Sequence, residues 1–147
     1  MGCCQSRHAR HRNGEHMLSG VRIDLDGTIV AVKIDDTTSA QRVAGMKEHI
    51  GCALFDVIRL PENIDVWVDD EGLYRSEHNP ELTGMVRLHQ PDWDAVFGRG
   101  LVLGVNPSTG DTVSLSLDQM ASVVAWWRTV TTGGNNPAAL RRRLTLV

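Results

Sequence analysis

Val21–Ile34 reads VRIDLDGTIVAVKI, and the spacing of its apolar residues around Asp26-Gly27 decides the fold. Asp-Gly between alternating strands is a strong hairpin signal, because both residues of a two-residue loop need positive φ. Such a loop pairs Leu25 with Thr28, Ile23 with Val30 and Val21 with Val32, all on one face together with Ile34. Arg22, Asp24 and Lys33 then fall on the other face, alongside Ile29 and Ala31. Downstream, TSAQRVAGMKEHIG predicts a helix. Thr38 and Gln41 stand at capping-box spacing, Val43, Met46, Ile50 and the stem of Lys47 line one side, and Gly51 closes it.

The same plan recurs twice. CALFDVIRL, PEN and IDVWVDD form a second hairpin in which Leu60 pairs with Ile64, Ile58 with Val66, and Arg59 lies beside Asp65, with Asn63 left-handed in the loop. EGLYRSEH crosses the surface, and NPELTGMVRL begins a helix with Asn79 as N-cap and Pro80 at the first position. In the third unit, GLVLGV and DTVSL are joined by the turn NPSTG. SLDQMASVVAWWRTV follows as a helix, with Ser116 and Gln119 as its capping box and Leu117, Met120, Val124 and Trp127 as its core stripe. The order predicts an α+β fold of three hairpin-plus-helix (ββα) units, a mainly antiparallel sheet with the helices packed on one face. The expected organisation is a disordered leader over 1–19, one domain over 20–130, and a linker with a basic tail over 131–147.

The D-x-D-G-T of Asp24–Thr28 looks like the nucleophile motif of haloacid-dehalogenase-type phosphatases. In that reading Asp24 attacks phosphate, Asp26 is the general acid, and Asp69 and Asp70 hold magnesium. Three observations oppose it. Arg22 interrupts a strand that should be continuously apolar. Only 45 residues separate Asp24 from Asp69, too few for several crossovers of about 30 residues each. The chain also continues as a strand after Gly27-Thr28, where the enzyme needs a loop and helix. We therefore read the motif as a turn. No other nucleophile–base pair, Walker loop, dinucleotide fingerprint or zinc pattern appears, so no catalytic residue, cofactor or metal is expected.

Charge is uneven. The total is −3, but the first 16 residues carry +2 and Arg141–Arg143 carry +3, which leaves −8 on residues 17–140. An acidic body disfavours nucleic acid. The chain has no apolar run long enough to span a bilayer and no apolar leader segment, and three cysteines form no disulfide framework, so a cytoplasmic location is expected. Cys52 reads as a structural thiol. MGCCQS matches the N-myristoylation pattern at Gly2, with Cys3 and Cys4 as palmitoylation candidates, although Met17 offers an alternative start. Cys3, Cys4, His8, His11 and His16 match no standard metal spacing.

IGCALFDVIRLPENIDVWVDDEGL, Ile50–Leu73, resembles a small family described as domain of unknown function 3846. In that family a helix ending in I-G-C leads to V-x-L-P and then W-V-D-E-x-G-L. Asn79-Pro80 and LVLGVNPSTGD fit the same layout, and the similarity spans roughly residues 20–130. The acidic step differs, reading Asp69-Asp70-Glu71, and Arg75–Gln90 matches poorly. The resemblance implies a setting in actinobacteria, bacteriophages or mobile elements, some of which carry counter-defence genes. It implies no catalytic residues.

Two roles follow. One is a binding protein that engages an unknown host protein through Trp67, Asp69, Asp70, Glu71 and Tyr74, with Trp126 as a further contact. For Trp67 the competing reading is packing against Phe55 or Val57. The other role is a small-ligand binder with polar groups from Asp69–Asn79 facing a pocket. A homodimer through the sheet edges is a structural alternative.

Overall fold

The computed structural model describes residues 16–132. The lipidation pattern at Gly2–Cys4, the cysteine and histidine positions before His16, and the arginine tail with most of its linker lie outside them.

Among the described residues ten elements follow in order: β1 (Met17–Ile23), β2 (Ile29–Asp35), α1 (Ser39–Ile50), β3 (Phe55–Leu60), β4 (Ile64–Asp69), α2 (Gly72–Arg75), α3 (Pro80–Arg87), β5 (Gly100–Val105), β6 (Thr112–Val113) and α4 (Leu117–Thr132). The fold is α+β. Every strand pair is antiparallel, in the order β2-β1-β5-β4-β3, with the short β6 pairing with β5. β1 starts three residues ahead of the expected domain boundary at residue 20, with Leu18 already buried.

The first hairpin departs from expectation by one residue. Ile23 pairs with Ile29, Val21 with Ala31 and Gly20 with Val32. The loop is wider than Asp26-Gly27 alone: Asp24 N donates to Thr28 O at 2.9 Å, and Gly27 N donates to Asp24 O at 3.0 Å with Gly27 at φ 86°. Asp26 Oδ1 accepts from Thr28 N at 3.0 Å, so the aspartate stabilises the wide turn. A one-residue slip exchanges the faces of every side chain on one strand. Val21 and Ile23 consequently enter one apolar cluster and Val32 and Ile34 the other.

That slip overturns the expectation of helices on one face. α1 covers one side, where Met46 and Ile50 join Leu18, Val32, Ile34, Leu101 and Leu103. α3 and α4 cover the other, where Leu82, Met85, Val86 and Val123 join Val21, Ile23, Ile58, Ile64, Val66 and Val102. β5, the central strand, is buried along Gly100–Gly104 and serves both clusters, as a strand covered on both faces must.

The predicted caps form. Gln41 N donates to Thr38 Oγ1, Gly51 closes α1 at φ 79°, and Ser116 and Gln119 bond reciprocally at 3.1 and 2.9 Å. The second hairpin has the expected register, with Glu62 as well as Asn63 at positive φ. Gln119 Nε2 donates to two of that turn's carbonyls, Glu62 O at 2.8 Å and Asn63 O at 3.0 Å, which fastens α4 to the hairpin. The stripe on α4 is rotated from expectation. Leu117 is 88% exposed at the helix start, while Val123 is fully buried with Met120, Trp127 and Val130 around it. Both tryptophans flank that line: Trp127 Nε1 donates to Gly27 O at 2.8 Å, and Trp126 packs edge-on to His89 at 4.3 Å. α4 therefore also pins the turn that sets the sheet register.

Candidate functional site

Asp69 ends β4 and turns the chain. Its Oδ1 accepts from Glu71 N at 2.9 Å and its Oδ2 lies 3.5 Å from Ser76 Oγ, so the carboxylate organises the one-turn helix α2. Gly72 brings α2 against the backbone of Phe97, because a Cβ there would stand 2.6 Å from Phe97 O. Opposite α2, the His78–Phe97 bridge and a 2.8 Å bond from Gly98 N to Glu77 O hold the two passing segments together.

Asn79 and Thr83 anchor the loop that follows α3. Asn79 is fully buried; its Oδ1 accepts from Leu82 N at 3.1 Å, and its Nδ2 donates to Ile23 O at 3.2 Å and Gly98 O at 3.0 Å. Asn79 N donates to Val96 O, and Val96 N donates to Thr83 Oγ1, both at 2.9 Å. Arg87 Nε donates to Trp93 O at 2.8 Å, which fixes the outer part of the same loop.

Between α2 and this loop lies a groove of about 550 Å³. Buried Ile58, Val68 and Val96 form its floor, Leu73, Trp93 and Phe97 its walls, and Asp56, Asp69, Asp70 and Asp94 its polar rim. Among the described residues, no basic side chain lines it. Asp69 is occupied with its turn and Asp56 accepts from Val57 N at 2.8 Å, whereas Asp70 and Asp94 are exposed and make no side-chain bond within the described residues. Negative charge over a low-dielectric apolar floor concentrates potential at the mouth. The arrangement can receive a cation that carries an apolar stem.

The expected site residues separate. Asp69 and Asp70 reach the groove, while Glu71 sits beside it in a 3.5 Å pair with Arg75 and Tyr74 is 85% exposed on α2. Trp67 lies on the opposite face of the sheet, half-buried and edge-on to Phe55 at 5.3 Å. Trp126 belongs to the α4–His89 contact. Sequence reasoning passed over Trp93 and Asp94, although PDWD repeats the pattern of a tryptophan among acids seen in VWVDD.

Other titratable groups have structural partners. Arg22 grips both oxygens of Asp24, at 2.6 and 3.2 Å, and its Nη1 lies 3.0 Å from His49 Nδ1; Arg99 stands 3.9 Å from the same carboxylate. Asp24 and Asp26 thus both serve the turn. Burial, with Asp69 nearby, pushes the Cys52 thiol up. Burial likewise raises Asp65, with Arg59 partly opposing it across the strand pair. Among the described residues, no three His, Cys, Asp or Glu side chains gather as a metal site, and no helix is long and apolar enough to cross a membrane.

The fold and groove together define a small α+β domain with a single central sheet and an acid-rimmed cleft at one end of β4. The chain belongs to the family described as Domain of unknown function (DUF3846), which matches residues 18–128. No curated protein and no solved structure matches it.

Proposed function

We propose that this is a non-enzymatic binding protein that takes an arginine or lysine side chain of a partner protein into the groove. The carrying observation is the pairing of an apolar floor with the carboxylates of Asp70 and Asp94, which make no side-chain bond and meet no lining cation within the described residues. The long stem of Arg or Lys matches the floor and its charge matches the rim. The Trp93 face supplies a cation–π contact, which strengthens as the site desolvates. In the groove wall Leu73 is 65% exposed and Trp93 38%, an apolar rim suited to a macromolecule. The family setting suggests a host protein inside a bacterial cytoplasm as partner, in keeping with a phage or mobile-element counter-defence role. Groove volume alone also suits a small ligand, for which a hydrophobic amine is the matching chemistry.

The test is a peptide library selected on the full chain and on the variant carrying Asp70→Asn and Asp94→Asn. We expect enrichment of Arg or Lys next to apolar residues, with at least tenfold weaker binding by the double variant, about 1.4 kcal/mol. Trp126→Ala, remote from the groove, should bind normally. Peptides without cationic preference, or equal binding by the double variant, would remove the basis of the proposal. Saturable binding of hexylamine by the native chain, lost in the double variant, with no peptide selected would favour the small-ligand reading.

A further inference from the structure

The sequence supplies its own candidate for this groove. Residues 133–147 follow α4, and they carry Arg141, Arg142 and Arg143 flanked by Leu140 and Leu144. This run is the densest positive charge in the chain, and it stands among apolar residues, as the groove chemistry requires. Its departure point is close to the groove. Val130, two residues before the end of α4, packs on α3 at Gly84, where an added Cβ would stand 2.9 Å from Val130 Cγ1. The adjacent Thr83 bonds Val96, which lies in the groove floor. α4 therefore ends against α3, the helix whose Thr83 holds the groove loop. Gly133–Leu140 provides eight residues before the first arginine, a maximum span of about 28 Å. That reach is more than twice the breadth of one helix, ~10 Å.

Resting on the groove reading above, we infer that Arg141–Arg143 occupy the acidic groove of their own chain and compete with the partner's cationic side chain. A tethered ligand acts at an effective concentration on the order of millimolar, so even a weak contact holds the groove largely filled. A partner must displace the tail, and its apparent affinity falls by the fraction of molecules in which the groove is open. The attraction is electrostatic and partly exposed, so raised salt loosens it.

The test measures fluorescence anisotropy of a labelled peptide AALRRRLTLV, the sequence of residues 138–147, with full-length protein at low and high salt. Three full-length proteins are compared: the native chain, a variant with Arg141, Arg142 and Arg143 each changed to Gln, and that variant with Asp70→Asn and Asp94→Asn added. We expect the triple-Gln variant to bind the peptide at least fivefold more tightly than the native chain, with the advantage shrinking in high salt. The added groove substitutions should abolish binding. Equal binding by the native and triple-Gln proteins, lost with the groove substitutions, would overturn the tail's role while leaving the groove as a cation site. No binding by any of them would overturn both. Sedimentation velocity separates the remaining arrangement: a native oligomer that becomes monomeric in the triple-Gln variant means that the tail crosses to a second copy, which overturns occupancy within one chain.

Discussion

Replacing Asn79 by Ala removes three bonds from one buried side chain, and the loss can be built up bond by bond. Asn79 Oδ1 caps α3 through Leu82 N, and losing such a cap costs about 1 kcal/mol. Its Nδ2 serves Ile23 O on β1 and Gly98 O beside the groove, both at buried positions, and each bond lost costs roughly 1–2 kcal/mol. The expected destabilisation is therefore about 3–5 kcal/mol, or a melting point lower by roughly 10–20 °C for a domain of this size. Urea unfolding followed by tryptophan fluorescence measures it. A companion variant separates the contributions. Asn79→Asp keeps an oxygen for the cap but places a carboxylate against two carbonyls, so it should lose at least as much stability as Asn79→Ala. If Asn79→Asp were as stable as the native chain, the two donor bonds would contribute nothing and the reasoning would fail. A loss under about 1 kcal/mol for Asn79→Ala would refute it equally, since that is the cap alone.

Two further outcomes follow from the packing and the charges. Gly72→Ala directs a methyl group at Phe97 O, 2.6 Å away; α2 must shift, costing about 1–3 kcal/mol, and peptide affinity should fall with the melting point. Asp65→Asn should stabilise the protein at neutral pH. Burial raises the Asp65 pKa in the folded state, so the native chain is penalised as pH rises through that value and not below the ordinary aspartate range. The difference in unfolding free energy between variant and native protein should therefore be present at pH 7 and shrink as acid protonates Asp65. A difference that grows toward acid would show that Arg59 dominates instead.

Local chemistry was legible where one segment contained its own explanation. Thr38 with Gln41, Ser116 with Gln119, and Asn79 before Pro80 form the caps their spacing predicts, because a cap is settled within four residues. The PEN loop was equally readable. The Asp-Gly turn was not, although its two residues are the strongest turn signal in the chain. Asp24 N bonds to Thr28 O and Asp26 Oδ1 accepts from Thr28 N, which closes a wider turn than Asp-Gly alone would form. Alternation could not expose the error, because VRIDLDGTIVAVKI has apolar residues available for either register. The distinction lies in contacts from far along the chain: Leu101 and Leu103 on one face and Trp127 at the turn.

The groove shows why the site was less legible than the fold. Its floor joins Ile58 on β3 and Val68 on β4 to Val96, one wall comes from α2, and the other from the loop around Trp93–Phe97 that follows α3. Asp69 and Asp70 were visible as an acidic strand end, but their division of labour was not: one carboxylate organises a turn while its neighbour remains free for a ligand. That difference depends on Glu71 N and Ser76 Oγ reaching Asp69 and no donor within the described residues reaching Asp70. Trp67, the more conspicuous aromatic in sequence, is directed by strand alternation to the far face, while Trp93 in an irregular loop reaches the groove. A strand residue two positions before an acidic end shares its face, but the groove opens where the strand stops and that parity no longer applies.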